Sequence, residues 1–252
     1  MPKLTHARSL PVAAVFSPLE GAGRAEIVAK RLSDAIVLGV LPNGERLPSE
    51  SALAKQLGVA TVTAREALET LRRAGLVRTT RGRGGGSFVT YRAGAHDRML
   101  DERLREISRV ELRDAAVHYT AIAAMAAELA TERATDDDVE NLRSLVEGID
   151  SSREDTARRG QASFSLEMAA LSQSARLVHE ELKLQAEIGA LLWMFLREQD
   201  YRDRSAVTQR KIVSAMGALD HDLARRLTVR HIESAIEWLI DTKVGLDAED
   251  AQ

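Results

Sequence analysis

Apolar and small residues near the start of the chain recur at helical spacing. Val28, Leu32, Ala35, Ile36 and Gly39 share one side of a helix predicted over 24–40, which "GVLPNGE" ends. Ser49 is a natural N-cap for a short second helix whose apolar side is Leu53, Ala54 and Leu57 and whose stop is Gly58. After the turn Gly58-Val59-Ala60, a third helix is predicted from about Thr61 to Ala74. It has Ala64, Ala67, Leu68 and Leu71 on its buried stripe and Gly75 at its end. Thr61, Arg65, Glu69 and Arg72 occupy the opposite face. The period then shortens: "LVRTT" and "GSFVT" are β-prone runs flanking "RGRGG", the pattern of a hairpin.

Beyond Thr90 the pattern is helical almost throughout. "AAVHYTAIAAMAAELATERAT" is alanine-rich, and "DDDVENLRSLVEGIDSSREDTARRG" is amphipathic with an acidic start that suits a helix N-terminus. The later segments continue in the same way, giving about six or seven helices and no convincing strand. The predicted fold is therefore mainly α. Its expected parts are a disordered arm over 1–23, a winged helix-turn-helix over 24–90, a linker over 91–105, an all-helical bundle over 106–246 and a tail over 247–252.

Two helices joined by a short glycine-containing turn can place the second in a DNA major groove, with its N-terminal residues toward base edges. Here those residues are Thr61, Val62, Thr63 and Arg65. The glycine-rich hairpin is then a wing that approaches phosphate or the minor groove. Charge sharpens this reading. Residues 1–90 hold 13 Lys and Arg against 7 Asp and Glu, whereas the remainder holds 22 against 31. No acidic residue lies between Glu69 and Asp97, while Arg72, Arg73, Arg78, Arg81, Arg83 and Arg92 do. A basic small domain joined to an acidic larger one predicts a polyanion partner for the first alone.

Each feature has a plainer explanation by itself: chance helix pairs, solvated arginines, or a phosphate loop. The phosphate loop is disfavoured because these glycines sit between β-prone runs instead of opening a helix. Length and 44% hydrophobic content allow two domains. The absence of cysteine excludes thiolate metal sites, a cysteine nucleophile and disulfides, and fits a reducing cytoplasm. No apolar run is long enough to span a membrane, and no catalytic signature stands out.

"GERLPSESALAKQLGVATVTAREALETLRRAGLVRTTRGRGGGSFV" resembles the winged helix-turn-helix of the GntR family of bacterial transcription regulators over nearly all of 24–90. The likeness rests on the "LPSE" entry, the "REAL..L...GLV" frame and the glycine-rich wing ending in "FV". It implies recognition-helix contacts at Thr61, Thr63 and Arg65 and wing-tip contacts at Arg81 and Gly82. Ser49 and Arg83 complete the expected DNA-binding set. Many members carry arginine at Thr61, serine at Ala60 and proline at Thr63, and some carry arginine at Ser51, so these departures bear on base preference.

The second half resembles the all-helical effector and dimerisation domain, the FCD type, of the fatty-acid-regulator branch of that family, in helix order and in "AAELATERAT" and "ALDHDLARRLTVRHI". Many members hold a divalent metal with an aspartate and three histidines. By this likeness those positions are Gln161, Ser165, Gln209 and His231. A borderline metal wants converging imidazole or carboxylate ligands, so a metal-free polar effector pocket with no cofactor is expected. The arginine that usually meets an organic acid is not evident near His118-Tyr119. His231, His118 and His179 read first as ordinary histidines, and Trp193, Met194 and Phe195 as core.

The resemblance thus implies a cytoplasmic, nucleoid-associated, homodimeric regulator, not an enzyme. It would bind double-stranded operator DNA, with repression the expected outcome, under an unnamed small-molecule effector. The alternatives are a constitutive DNA-binding protein whose bundle only dimerises and, more weakly, a metal-dependent enzyme, against which the missing ligands argue.

Overall fold

The computed structural model describes residues 24–37, 40–82, 84–90 and 93–249. The expected arm over 1–23, Arg83 at the wing, and 250–252 of the expected tail lie outside them. The chain divides into two compact units, one up to His96 and one from Asp97.

In the first unit, α1 (Arg24–Val37), α2 (Glu50–Leu57) and α3 (Thr61–Arg73) precede the antiparallel pair β1 (Val77–Thr80) and β2 (Gly86–Val89). Its core follows the helical spacing: Val28, Leu32 and Ile36 from α1, Leu53 and Leu57 from α2, and Ala64, Leu68 and Leu71 from α3 are buried. The Ser49 side chain accepts the Ala52 N–H, and Gly58 closes α2 in the left-handed region at φ 67°. The segment 44–47 adds a third extended run beside β2. There the Gly44 and Leu47 N–H groups donate to Val89 and Ser87, and the Val89 N–H donates back to Glu45.

α4 (Ala93–Glu106) runs across the boundary, and the second unit continues with α5 (Arg109–Arg133), α6 (Asp136–Glu147), α7 (Glu154–Leu171), α8 (Ala175–Leu184), α9 (Gln199–Gly217) and α10 (His221–Glu249). Ser108 and Thr135 form capping boxes at the starts of α5 and α6. Between α8 and α9 the backbone changes type repeatedly, through a π turn at Gln185–Gly189, a short α segment and a 3-10 turn at Trp193–Arg197. The Arg202 guanidinium fastens the end of this run by donating to the Leu196 and Arg197 carbonyls.

Two expected boundaries shift. Most of the linker expected over 91–105 is helix, because Leu100 and Leu104, one turn apart, are both fully buried. At the other end α10 runs through Glu249, and Asp247 accepts from Arg109 and Lys243, so 247–249 are structured. Among the described residues no helix is long and apolar enough to cross a membrane.

Candidate functional site

Two sets of side chains carry chemistry, one in each unit. The first lies at the N-terminus of α3 and along the wing. Ala60 stands at the N-cap position and supplies no side-chain cap, so the first N–H groups of α3 are free to meet an anion. Thr61 is exposed there, Thr63 is half-buried, and Val62 is 57% exposed, an apolar contact of the kind a thymine methyl takes. Arg65 is 63% exposed, and its Nε donates to Glu50 Oε2 at 2.9 Å. That ion pair, fifteen residues apart, ties the guanidinium to the first residue of α2. Ser49 is exposed, but its Oγ is already engaged in capping α2.

The wing is braced from within. Arg46 Nη2 donates to the Gly85 carbonyl at 2.6 Å, Thr79 and Ser87 share a hydroxyl contact across the strands, and the Arg78 guanidinium lies over the Phe88 ring. At the tip Gly82 takes φ +101° and Gly84 +93°, backbone angles that favour glycine, while a Cβ on Gly85 would meet the Thr80 carbonyl oxygen at 2.5 Å. Arg81 is exposed there and makes no hydrogen bond or ion pair with a described residue. Other basic residues of the run have local partners: Arg72 bonds its own helix at Leu68, and Arg73 bonds Thr70.

The second set is inside the bundle. Gln161 and Ser165 project from α7, Gln209 from α9 and His231 from α10, and they meet around the Gln161 amide. Gln161 Oε1 accepts from Gln209 Nε2 at 2.8 Å and from His231 Nε2 at 2.9 Å, and Gln161 Nε2 contacts Ser165 Oγ at 3.3 Å. Ser205, one turn before Gln209 on α9, donates to the same oxygen at 3.2 Å. Since Oε1 can only accept, His231 carries its proton on Nε2. The imidazole stacks on Trp193 at 5.5 Å, and burial lowers its pKa to about 4, so it is neutral at pH 7. His231 is thus a satisfied interior histidine, and Trp193, Met194 and Phe195 are buried core.

The donor set does not fit a divalent metal. Two amide groups, hydroxyls and one neutral imidazole satisfy one another, and among the described residues no three His, Cys, Asp or Glu converge.

A cavity of about 20 Å³, room for about one water, adjoins the cluster. Its wall includes Gln161, Ser165 and His231, together with Tyr119, Glu181 and Trp193. Sequence reasoning passed over Tyr119 and Glu181. Tyr119 donates to Glu181 Oε1 at 2.8 Å, and Gln185 Nε2 donates to the same oxygen at 2.8 Å. Burial pushes the Glu181 carboxyl above its usual range, against the pull of these two donors. Burial likewise pushes the Tyr119 hydroxyl well up, with the nearby Glu181 charge adding to it. A signal was present in the sequence: Leu177, Glu181, Leu184 and Ile188 follow helical spacing, which puts Glu181 on an apolar stripe.

Residues 24–89 match the model of the bacterial regulatory proteins of the gntR family, and residues 114–234 match the FCD domain. A relative from Mycobacterium gastri, named "Putative HTH-type transcriptional regulator RmpR", is 36% identical over 235 residues, covering 92% of this chain and 86% of the relative. An uncharacterized HTH-type transcriptional regulator of Mycobacterium tuberculosis is 31% identical over 163 residues, 64% of this chain and 66% of that protein. Among solved structures, Escherichia coli McbR/YncC shares the fold with a TM-score of 0.54 at 19% identity, covering 88% of this chain and 99% of that one.

Proposed function

The chain belongs to the GntR family of bacterial regulatory proteins, as a transcriptional regulator with an FCD domain and not an enzyme, and from that premise we propose that it binds operator DNA as a cytoplasmic homodimer under small-molecule control. The observation that carries the DNA contacts is the juxtaposition at α3. An uncapped helix N-terminus, exposed Thr61 and Val62, and a guanidinium held at its edge by Glu50 present base-reading and phosphate-binding groups together. Thr63 and Ser49 border this surface, and Arg81, Gly82 and Arg83 supply the wing contact. For dimerisation, Val110, Val117 and Met125 leave apolar side chains exposed on α5.

The test is a gel shift and a sizing run on the same protein. A dimer that prefers a pseudo-palindromic promoter fragment over random duplex, with affinity falling steeply as salt rises, supports the reading. Binding no tighter to any promoter fragment than to random DNA overturns it. Transcription from that promoter, with and without the protein, distinguishes repression from activation.

The small cavity favours a second reading, in which the bundle only dimerises and operator binding is constitutive. A saturating ligand that raises the melting temperature and changes operator affinity excludes it, since ligand at 100 times its dissociation constant adds about 2.7 kcal/mol. In either reading the interior works without a divalent metal, and chelators leave DNA binding and stability unchanged.

A further inference from the structure

We propose that the cavity at the centre of the bundle binds a small organic monocation, a primary ammonium or an amidinium, seated on Glu181 and against the rings of Tyr119 and Trp193. The inference rests on the reading that the bundle senses a small molecule, and it names the chemistry of that molecule.

Glu181 is the starting point. It is 1% exposed, and both of its hydrogen bonds arrive at Oε1 from neutral donors, Tyr119 and Gln185. Among the described residues, Oε2 has no hydrogen bond, and no Lys, Arg or His pairs with the carboxylate. The nearby charges are engaged elsewhere: Glu180 faces His118 at 3.8 Å and Lys183 at 3.5 Å. A buried carboxyl without a counter-charge is costly to ionise, and an incoming cation removes that cost.

The rest of the cavity wall brings no competing cation, although it includes Trp193, whose Nε1–H is a buried donor without a hydrogen-bond partner. The wall's only basic side chain is His231, which is neutral and already bonded to Gln161. An organic carboxylate would therefore sit beside Glu181 with nothing to offset two like charges. The rings of Tyr119 and Trp193 stand edge to face at 5.9 Å and both line the cavity, so a cation seated there lies beside aromatic rings.

Size decides how such a ligand enters. Space for about one water does not hold an amine with its carbon chain, so one wall must yield. The wall bearing Glu181 and Trp193 belongs to the run that passes from α8 through the π turn to the 3-10 turn, where the regular helical ladder is interrupted. The cavity opens by a shift of this run against the regular helices α5, α7 and α10.

The full-length chain has two tryptophans, so Trp238→Phe leaves Trp193 as the sole indole reporter at the cavity. In that background, ethylammonium and acetamidinium are titrated against propionate, acetate and acetamide at matched ionic strength. The cations should change Trp193 emission saturably and raise the melting temperature, while the carboxylates and the neutral amide do neither. Glu181→Gln, which keeps the Oε1 acceptor for Tyr119 and Gln185, should weaken cation binding at least about tenfold. Tyr119→Phe, which keeps the ring and the carboxylate, should retain it. The proposal fails if no cation saturates, if Glu181→Gln binds cations as the parent does, or if carboxylates or acetamide bind instead. Gel shifts separate this outcome from the broader reading. Cation binding that depends on Glu181 but leaves operator affinity unchanged keeps the site and removes effector control, whereas a carboxylate that alters operator affinity keeps effector control and removes the cation.

Discussion

The two units place their polar chemistry oppositely. At the α3 edge and the wing, valences face outward: the first N–H groups of α3 lack a side-chain cap, and Arg81 has no partner among the described residues. In the bundle they face inward, where Gln161 Oε1 gathers donors from Gln209, Ser205 and His231. An outward group is stabilised by water until a partner replaces it, so changing it costs binding and little stability. Inward groups have only one another, so changing one leaves the others unmet in a low dielectric. The difference predicts which measurement each substitution moves.

The largest effect should come from Gln161→Leu. It strands three donors beside a cavity with room for about one water, at about 1 to 3 kcal/mol each before relaxation, so a loss of about 3 kcal/mol is expected. Thermal or denaturant unfolding measures it, and operator affinity well below the new melting temperature should change little. A loss under about 1 kcal/mol would mean the cluster is wetter than its hydrogen bonds imply.

Acid tests the same interior with opposing signs. The folded pKa of His231, lowered from 6.5 to about 4, makes its contribution complete above pH 6.5 and lost as pH falls toward 4, up to about 3 kcal/mol. The folded pKa of Glu181 is raised, so its contribution is complete below its unfolded value and lost as pH rises through the folded one. The two partly cancel in mild acid. Stability measured between pH 7 and 4 should therefore decline more steeply in Glu181→Gln than in the parent, and less steeply in His231→Gln. Parallel curves for all three proteins would remove both assignments.

How much of this was legible in the sequence follows the same division. The three helices and the wing are readable because each follows from local spacing and punctuation: the Ser49 cap, the Gly58 stop, and the β-prone runs "LVRTT" and "GSFVT" flanking a glycine-rich turn. The extended run at 44–47 is not, since its pairing with β2 depends on a contact some forty residues away. In the interior, Gln161, Ser165, Gln209 and His231 were grouped by family likeness, and the structure does bring them together. Ser205 could have joined them from its one-turn spacing to Gln209. Glu181 and Tyr119 were missed because a glutamate in "HEELK" reads as a solvated face. Only its place among Leu177, Leu184 and Ile188 shows otherwise. The Glu50–Arg65 ion pair joins two helices and leaves no local mark.

On the outward side the larger effect belongs to Arg65. Its guanidinium is exposed and held by Glu50, a surface pair of little stabilising value. Arg65→Ala should therefore weaken operator binding at least about tenfold and flatten the preference for operator over random duplex, as loss of a base contact worth about 1 to 3 kcal/mol would. Stability should move by less than about 1 kcal/mol. Glu50→Gln sharpens the point. If Glu50 aims Arg65, it should lower the preference for operator while adding slightly to affinity for any duplex, because one negative charge leaves the surface. An Arg65→Ala protein that keeps full preference would move base reading to Thr61, Val62 and Thr63 alone.

The smallest effect is expected at Arg81, and its form matters more than its size. The wing tip is set by glycines at positive φ and braced by Arg46 on Gly85, so the hairpin keeps its shape when the Arg81 side chain is removed. What Arg81→Ala takes away is one exposed charge that has no partner among the described residues. Exposed substitutions of this kind usually stay within about 0.5 kcal/mol, so the melting temperature should hold. Binding to operator and to random duplex should weaken by similar factors, because a phosphate contact positions the protein without reading sequence. The slope of log affinity against log salt should flatten by about one, the counterions of one phosphate no longer being released. Arg46→Ala gives the contrast. It removes the brace as well as a charge, so it should lower stability and operator affinity together. Should Arg81→Ala instead abolish operator preference while leaving random binding intact, the wing reads bases, and the division of labour between α3 and the wing must be redrawn.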